Sequence, residues 1–272
     1  MHPRTILIIV STASALALAA SASLAADVAL DALPSIGVGR LESGVGLGDI
    51  DVASAHTYDY TFTGAPTDWA PRGGFWEMTL RWDCDKRWSF YGGYGEGPVA
   101  LWNKRRFAGD ISVEAYVAFK RGLGNFFEYK NPNDLNLTLC GDGANLDTGY
   151  AFLLGADLNR RTAILRNGVE LAATSDRSAL LPVFEDSEFS MESFHRRWWR
   201  LKAERSGHTI GLWLDDRPIL TAHDPDPLPA GHVAVWTVNN GIVVSRIRIH
   251  YAQELPATPP TGGPGRLADA RP

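Results

Sequence analysis

The sequence is poor in cysteine and methionine, has no surplus of positive charge and, past its N-terminus, has no long apolar run. Two cysteines, Cys84 and Cys140, in 272 residues exclude a disulfide-dense mini-domain. With 26 Lys and Arg against 31 Asp and Glu, the formal net charge is −5. Nothing in that balance neutralises a phosphate backbone, which argues against a nucleic-acid partner. No stretch sustains a 3.6-residue apolar period beyond one helical turn expected near Asp176 to Leu181. Neither a G-x-S-x-G elbow nor a phosphate-binding glycine loop is present. The histidines His56, His195, His208, His223, His232 and His250 show no metal-ligand spacing.

What is abundant is aromatic and turn-forming: 9 Trp, 8 Tyr, 11 Phe and 27 Gly, a balance that leans towards strands. The first 26 residues read as a signal peptide. Arg4 gives the basic start, Ile6 to Ala20 the apolar stretch, and Ala20, Ala22, Ala25 and Ala26 offer small-residue cleavage positions. The protein is therefore expected to be exported, periplasmic or extracellular, and not membrane-embedded. In that compartment a Cys84–Cys140 disulfide would stabilise by about 4 kcal/mol through the loop that it closes. The alternation places Cys84 on an apolar face with Trp76, Met78, Leu80 and Trp82, and Cys140 on a polar face with Asn136 and Thr138. A bridge and two free thiols both stay open.

Residues 27–55 form a Gly- and Ala-rich leader, and 253–272 a Pro-rich tail expected to be disordered. Between them, 56–252 reads as one domain of strands. Ile111, Val113, Ala115, Val117 and Phe119 alternate with Ser112, Glu114, Tyr116 and Lys120; Leu135, Leu137 and Leu139 alternate with Asp134, Asn136 and Thr138. Asn167-Gly168 is a strong hairpin turn signal, and Ser206-Gly207, Asp215-Asp216 and Asn239-Asn240-Gly241 punctuate the later strands. Two-faced strands without helices predict an all-β sandwich of two antiparallel sheets.

Two stretches carry a family likeness. Trp199 to Leu220, with an alternating strand, a Gly turn, a second strand and an acidic turn, resembles the late hairpin of concanavalin A-like jelly rolls. Gly231-His-Val-Ala-Val-Trp236 followed by Ile242 to Ile249 resembles their closing strands, and Phe107 to Tyr116 their early strand on the concave sheet. The closest flavours are laminin-G-like domains and the 3-keto-disaccharide hydrolase-like domain of exported bacterial proteins. The resemblance to this lectin and glucanase superfamily implies a carbohydrate ligand. The Glu-x-Asp-x-x-Glu run of its family 16 glycoside hydrolases is missing; Asp134-Leu-Asn136-Leu-Thr138 has the alternation with a single carboxylate.

Candidate sugar-binding residues are the aromatics Trp88, Tyr91, Tyr94 and Trp102, whose rings suit the apolar faces of sugars, with Tyr116 and Asn136 as hydrogen-bonding neighbours. Glu114 and Asp134, on the polar faces of successive strands, are the one pair nominated for acid/base chemistry. Lys104-Arg105-Arg106 reads as a solvated turn, or else as a contact for an acidic glycan. Asp142, Asn145 and Asp147 are candidate Ca²⁺ ligands against the simpler reading of a polar turn; no other cofactor is implied. Three functions follow: a secreted carbohydrate-binding protein, a glycan-acting hydrolase or polysaccharide lyase on the same fold, or a laminin-G-type protein-interaction domain.

Overall fold

Two-residue turns with left-handed backbone set the hairpins. Asn167 (φ 48°) and Gly168 (φ 76°) join β9 (Arg161–Arg166) to β10 (Val169–Thr174). Asp215 (φ 49°) and Asp216 (φ 66°) join β12 (Thr209–Leu214) to β13 (Arg217–His223). Asn and Asp are among the few side chains that tolerate this region. The computed structural model describes residues 56–62, 64, 66–79, 90–120, 134–181 and 198–256. The signal peptide, the leader, Cys84, Trp88 and the tail beyond Pro256 lie outside them.

Among the described residues all strand pairs are antiparallel, and they form two sheets. Sheet A runs β13, β12, β11 (Trp199–Ser206), β6 (Arg106–Phe119), β15 (Gly241–Leu255). On the far side of β15 lie β1 (His56–Thr61) and, further along, β4 (Phe90–Tyr94) with β3 (Phe75–Thr79). Sheet B runs β10, β9, β8 (Tyr150–Gly155), β7 (Leu135–Gly141), β14 (Ala230–Val238), β5 (Pro98–Asn103), β2 (Trp69–Arg72). One strand belongs to both. β14 starts beside β6 through Ala230 and Gly231, then pairs β7 and β5 from His232 onward.

The alternation becomes a core between the sheets. Val113, Ala115 and Val117 of β6, Leu201 of β11 and Ile247 of β15 face Leu135, Leu137, Phe152 and Val235 of sheet B, all at 0% exposure. Each such Leu or Ile is worth about 1.5–3 kcal/mol of burial. The expected turn near Asp176 is a single 3-10 turn, Arg177–Ala179, whose first N–H groups Asp176 caps through Ser178.

Three expectations are corrected. β6 and β7 follow each other in sequence yet lie in opposite sheets, so their polar faces point out of opposite sides of the sandwich. Cys140 does not share the outer face of Asn136 and Thr138. His232 pairs with Gly141 and Ala234 with Thr138, which leaves one extra residue on β7; the resulting bulge, with Cys140 at φ 57°, turns that side chain into the core. Last, β15 continues to Leu255, beyond the boundary at 252.

Candidate functional site

The crossing of β14 opens a cavity of about 800 Å³ on the outer side of sheet B. Two glycines make the crossing possible. A Cβ on Gly231 would lie 2.2 Å from the Cys140 carbonyl carbon, so only glycine lets β14 pass the β7 bulge. A Cβ on Gly141 would lie 2.7 Å from the Trp102 ring, which therefore packs against the β7 backbone at this glycine. Trp102 is 1% exposed and supports the cavity from below. Leu228 adds the other large apolar side chain of the wall, and Asn103, Thr148, Asn167 and His232 are polar lining residues.

The polar parts are held rigidly. Asp142 Oδ1 accepts from the N–H groups of Ala144 (2.8 Å) and Asn145 (2.7 Å), and Oδ2 from Asn145 Nδ2 (2.6 Å). Burial works to raise this carboxyl's pKa, but the donated hydrogen bonds outweigh it and hold the group below the usual carboxylate range. Thr148 closes the same loop by accepting from Asp142 N at 3.0 Å and donating to Asn145 O at 2.6 Å. Asn167 Oδ1 takes the Gly149 N–H at 2.9 Å, which ties the loop to the β9–β10 turn. The His232 Nδ1–H donates to Asn103 O at 3.1 Å, since a carbonyl can only accept.

Two buried donors in this wall are left over. Asn103 spends its Oδ1 on the Arg105 N–H (2.8 Å), and its Nδ2 has no partner among the described residues. The Trp102 Nε1–H also has none. An unmet buried donor costs about 1–3 kcal/mol.

The outer face of sheet A is built differently. Cross-strand register sets Trp213, Lys202, Glu114, Arg248 and Asp59 in one row, and Arg200, Tyr116 and Arg246 in the next. The charges answer one another. Lys202 Nζ is 2.9 Å from Glu204, Arg200 reaches Asp216 and lies 3.7 Å from Glu114, and Asp59 receives both Arg246 and, at 3.3 Å, Arg248. Burial, then the Glu114 charge, push the Tyr116 hydroxyl above its ordinary pKa. Lys202 Nζ sits 5.0 Å above the Trp213 ring, which itself covers Gly211.

The residues singled out by sequence are therefore dispersed. Glu114 and Tyr116 lie outside sheet A, Asp134 and Asn136 outside sheet B, with the core between them. Glu114 and Asp134 thus do not form a pair across one cleft. Asp134 ties β7 to β14, accepting from Thr237 Oγ1 (2.9 Å), Val238 N (3.0 Å) and Asn136 Nδ2 (2.5 Å). Asn136 is 0% exposed. Tyr91 is a core residue stacked between Phe62 (5.9 Å) and Trp76 (5.2 Å). Tyr94 packs on Phe75 beneath Lys120. Cys140 is a free, buried thiol. Among the described residues no cluster of three His, Cys, Asp or Glu is placed to hold a metal, and Asp142 has turned its oxygens onto its own loop. Of the nominated residues the cavity gathers Trp102, Asp142 and, from the basic triplet, Lys104 and Arg106; it adds Arg72, Asn103, Asn167 and His232, which nothing but an Asn-Gly turn and a Gly-His step marks in the sequence.

The chain superposes on a Bacillus subtilis protein of unknown function with a galectin-like fold, at TM-score 0.51 and 14% identity over 72% of this chain and 96% of that one. The fold is the concanavalin A-like jelly roll. The jelly roll is also similar to the carbohydrate-binding module CBM66 from Bacillus subtilis (TM-score 0.45, 18% identity, 66% of this chain and 95% of that one). A third likeness is the Ca²⁺-bound exoplasmic/lumenal domain of VIP36 (TM-score 0.47, 12% identity, 73% and 90%). Identities this low speak for the fold alone. No protein-family model and no curated protein matches the sequence. Among the described residues no helix is long and apolar enough to cross a membrane.

Proposed function

We propose that this chain is an exported carbohydrate-binding jelly roll whose ligand sits in the cavity where β14 changes sheets. The observation that carries this reading is the cavity wall. Its volume of about 800 Å³ suits a small oligosaccharide segment, and apolar surface from Leu228 lies beside fixed polar groups. Sugars need that mixture, because each ring has C–H faces and a rim of hydroxyls. Binding without cleavage fits the acid count. Glycoside hydrolysis takes two carboxyl groups flanking the scissile bond, whereas the described lining has Asp142 alone, and Asp142 is committed to its loop. Export rests on residues 1–26, whose pattern is that of a signal peptide.

The test is titration of the mature protein against a panel of oligosaccharides, with chromatography for released products. Selective binding without products, weakened by His232→Ala, supports the reading; turnover overturns it. A second reading, a glycan-acting enzyme, draws on the outer face of sheet A, where Glu114 sits half-buried beside Tyr116 and Arg200. Glu114→Gln should then abolish product release while leaving binding intact.

A further inference from the structure

We infer that the cavity selects a sugar bearing a carboxylate, of the uronate class. This rests on the carbohydrate-binding reading and adds the charge of the ligand to it.

The basic triplet Lys104-Arg105-Arg106 is divided by the fold. Arg105 leaves the cavity for the other side of the turn, where it pairs with Asp68 (3.1 Å) and Glu254 (3.3 Å) above the Tyr58 ring. Lys104 and Arg106 face the cavity, and Arg72 on β2 joins them. Arg72 makes no ion pair with any described residue, and Lys104 gives one N–H to the Thr67 carbonyl at 2.7 Å and meets no carboxylate. An ammonium has three donors, so two remain. Both side chains are exposed.

No carboxylate among the described residues pairs with Arg72 or Lys104. Asp142 is the sole carboxylate among the described lining residues, and its oxygens are spent on Ala144 and Asn145. The cavity therefore offers the N–H donors of cations at its mouth. A neutral sugar, whose hydroxyls donate as readily as they accept, leaves this excess of donors unmatched. A carboxylate accepts only, and takes a guanidinium in parallel hydrogen bonds. A positive mouth in a chain of net charge −5 also attracts an anion locally against the protein's overall repulsion.

The experiment uses the mature full chain and uronate oligomers (galacturonate, alginate and hyaluronan fragments), each paired with its carboxyl-reduced, neutral counterpart. Binding is measured by calorimetry at low and high salt. At least one acid form should bind about tenfold or more tightly than its reduced partner, roughly the value of one charge-assisted contact. The preference should shrink as salt screens the exposed mouth. The double variant Arg72→Ala/Lys104→Ala should erase it with an unchanged melting midpoint, since both side chains are at the surface. Equal affinity for acid and reduced forms overturns the inference and leaves carbohydrate binding standing. A preference that survives in the double variant overturns the assignment to this cavity. Binding of neither form, here or to the neutral panel above, removes the carbohydrate reading and the inference together.

Discussion

Tyr150 Oη donates to Asp224 Oδ2 at 2.5 Å, and the same oxygen accepts the Leu228 N–H at 2.9 Å. One phenol on β8 thus fixes the segment that enters β14 and supplies Leu228 to the cavity wall. Asp224 is further held by Arg166 at 2.9 Å and accepts the Asp226 N–H at 3.0 Å.

Acid sensitivity follows from that contact. Burial works to raise the Asp224 pKa, but the Tyr150 hydroxyl, the Asp226 N–H and Arg166 together hold it below 3.8. A depressed carboxylate contributes stability that is complete above the unfolded value and is lost as pH falls through the folded one. Tyr150→Phe removes a donor, so Asp224 titrates higher and acid unfolding should begin at a higher pH. At neutral pH the variant should lose about 1–3 kcal/mol, because the Leu228 N–H and Asp224 both lose a buried partner. Circular dichroism along an acid titration checks this; superimposable acid limbs would refute it.

The alkaline side has the opposite sign. Burial and then the Asp224 hydrogen bond push the Tyr150 hydroxyl from 10.0 up to about 12. A raised pKa contributes stability that is complete below the unfolded value and fades as pH climbs through the folded one. Tyr58 moves in the same direction through burial and Asp68. Urea midpoints should therefore decline above pH 10, and Tyr150→Phe should decline less steeply than the parent.

Gly141→Ala and Gly231→Ala should separate ligand effects from folding effects. At Gly141 the new methyl meets an indole ring, which can tilt. The cost should be about 1–3 kcal/mol, with weaker ligand binding because Trp102 moves beneath the cavity. At Gly231 the methyl meets the Cys140 backbone at 2.2 Å and has nowhere to go. That variant should be the more damaging, and yield of folded protein with melting midpoints will rank the two.

Cys140 should resist alkylation in the native protein. Burial pushes its thiol up to about 11, and the Arg205 charge offsets this in part. Thiolate is then scarce as well as covered. Peptide-level mass analysis should find Cys140 unlabelled by iodoacetamide at pH 8 and labelled once denaturant is added without reductant. Absence of labelling in denaturant would mean a disulfide instead.

The hairpins were legible because their determinants are local. Asn167-Gly168 and Asp215-Asp216 each fix a turn with their own backbone preferences, Gly207 turns the chain one residue past the expected Ser206, and strict alternation marks Ile111 to Phe119 and Leu135 to Leu139. Sheet membership was not legible, since period-2 alternation says which side chains share a face and nothing of which sheet that face belongs to. This is why Glu114 and Asp134 look like neighbours in sequence and end on opposite sides. Cys140 escaped for another reason: one inserted residue inverts the parity of everything after it, and the bulge is set by the β14 partner, far away in the chain. Trp102 was picked out as an aromatic, but its companions Arg72, Asn103 and His232 come from three separate strands and share no spacing that could announce them.

A strand sewn into both sheets has a dynamic consequence. Neither sheet of this sandwich can peel away while β14 keeps its partners in the other, so no partial opening exposes the interior through that seam. The backbone amides of Val233 to Val235 should exchange with solvent deuterium only when the whole domain opens, with one common protection free energy, while those of the edge strands β10 and β13 fray independently and exchange far sooner.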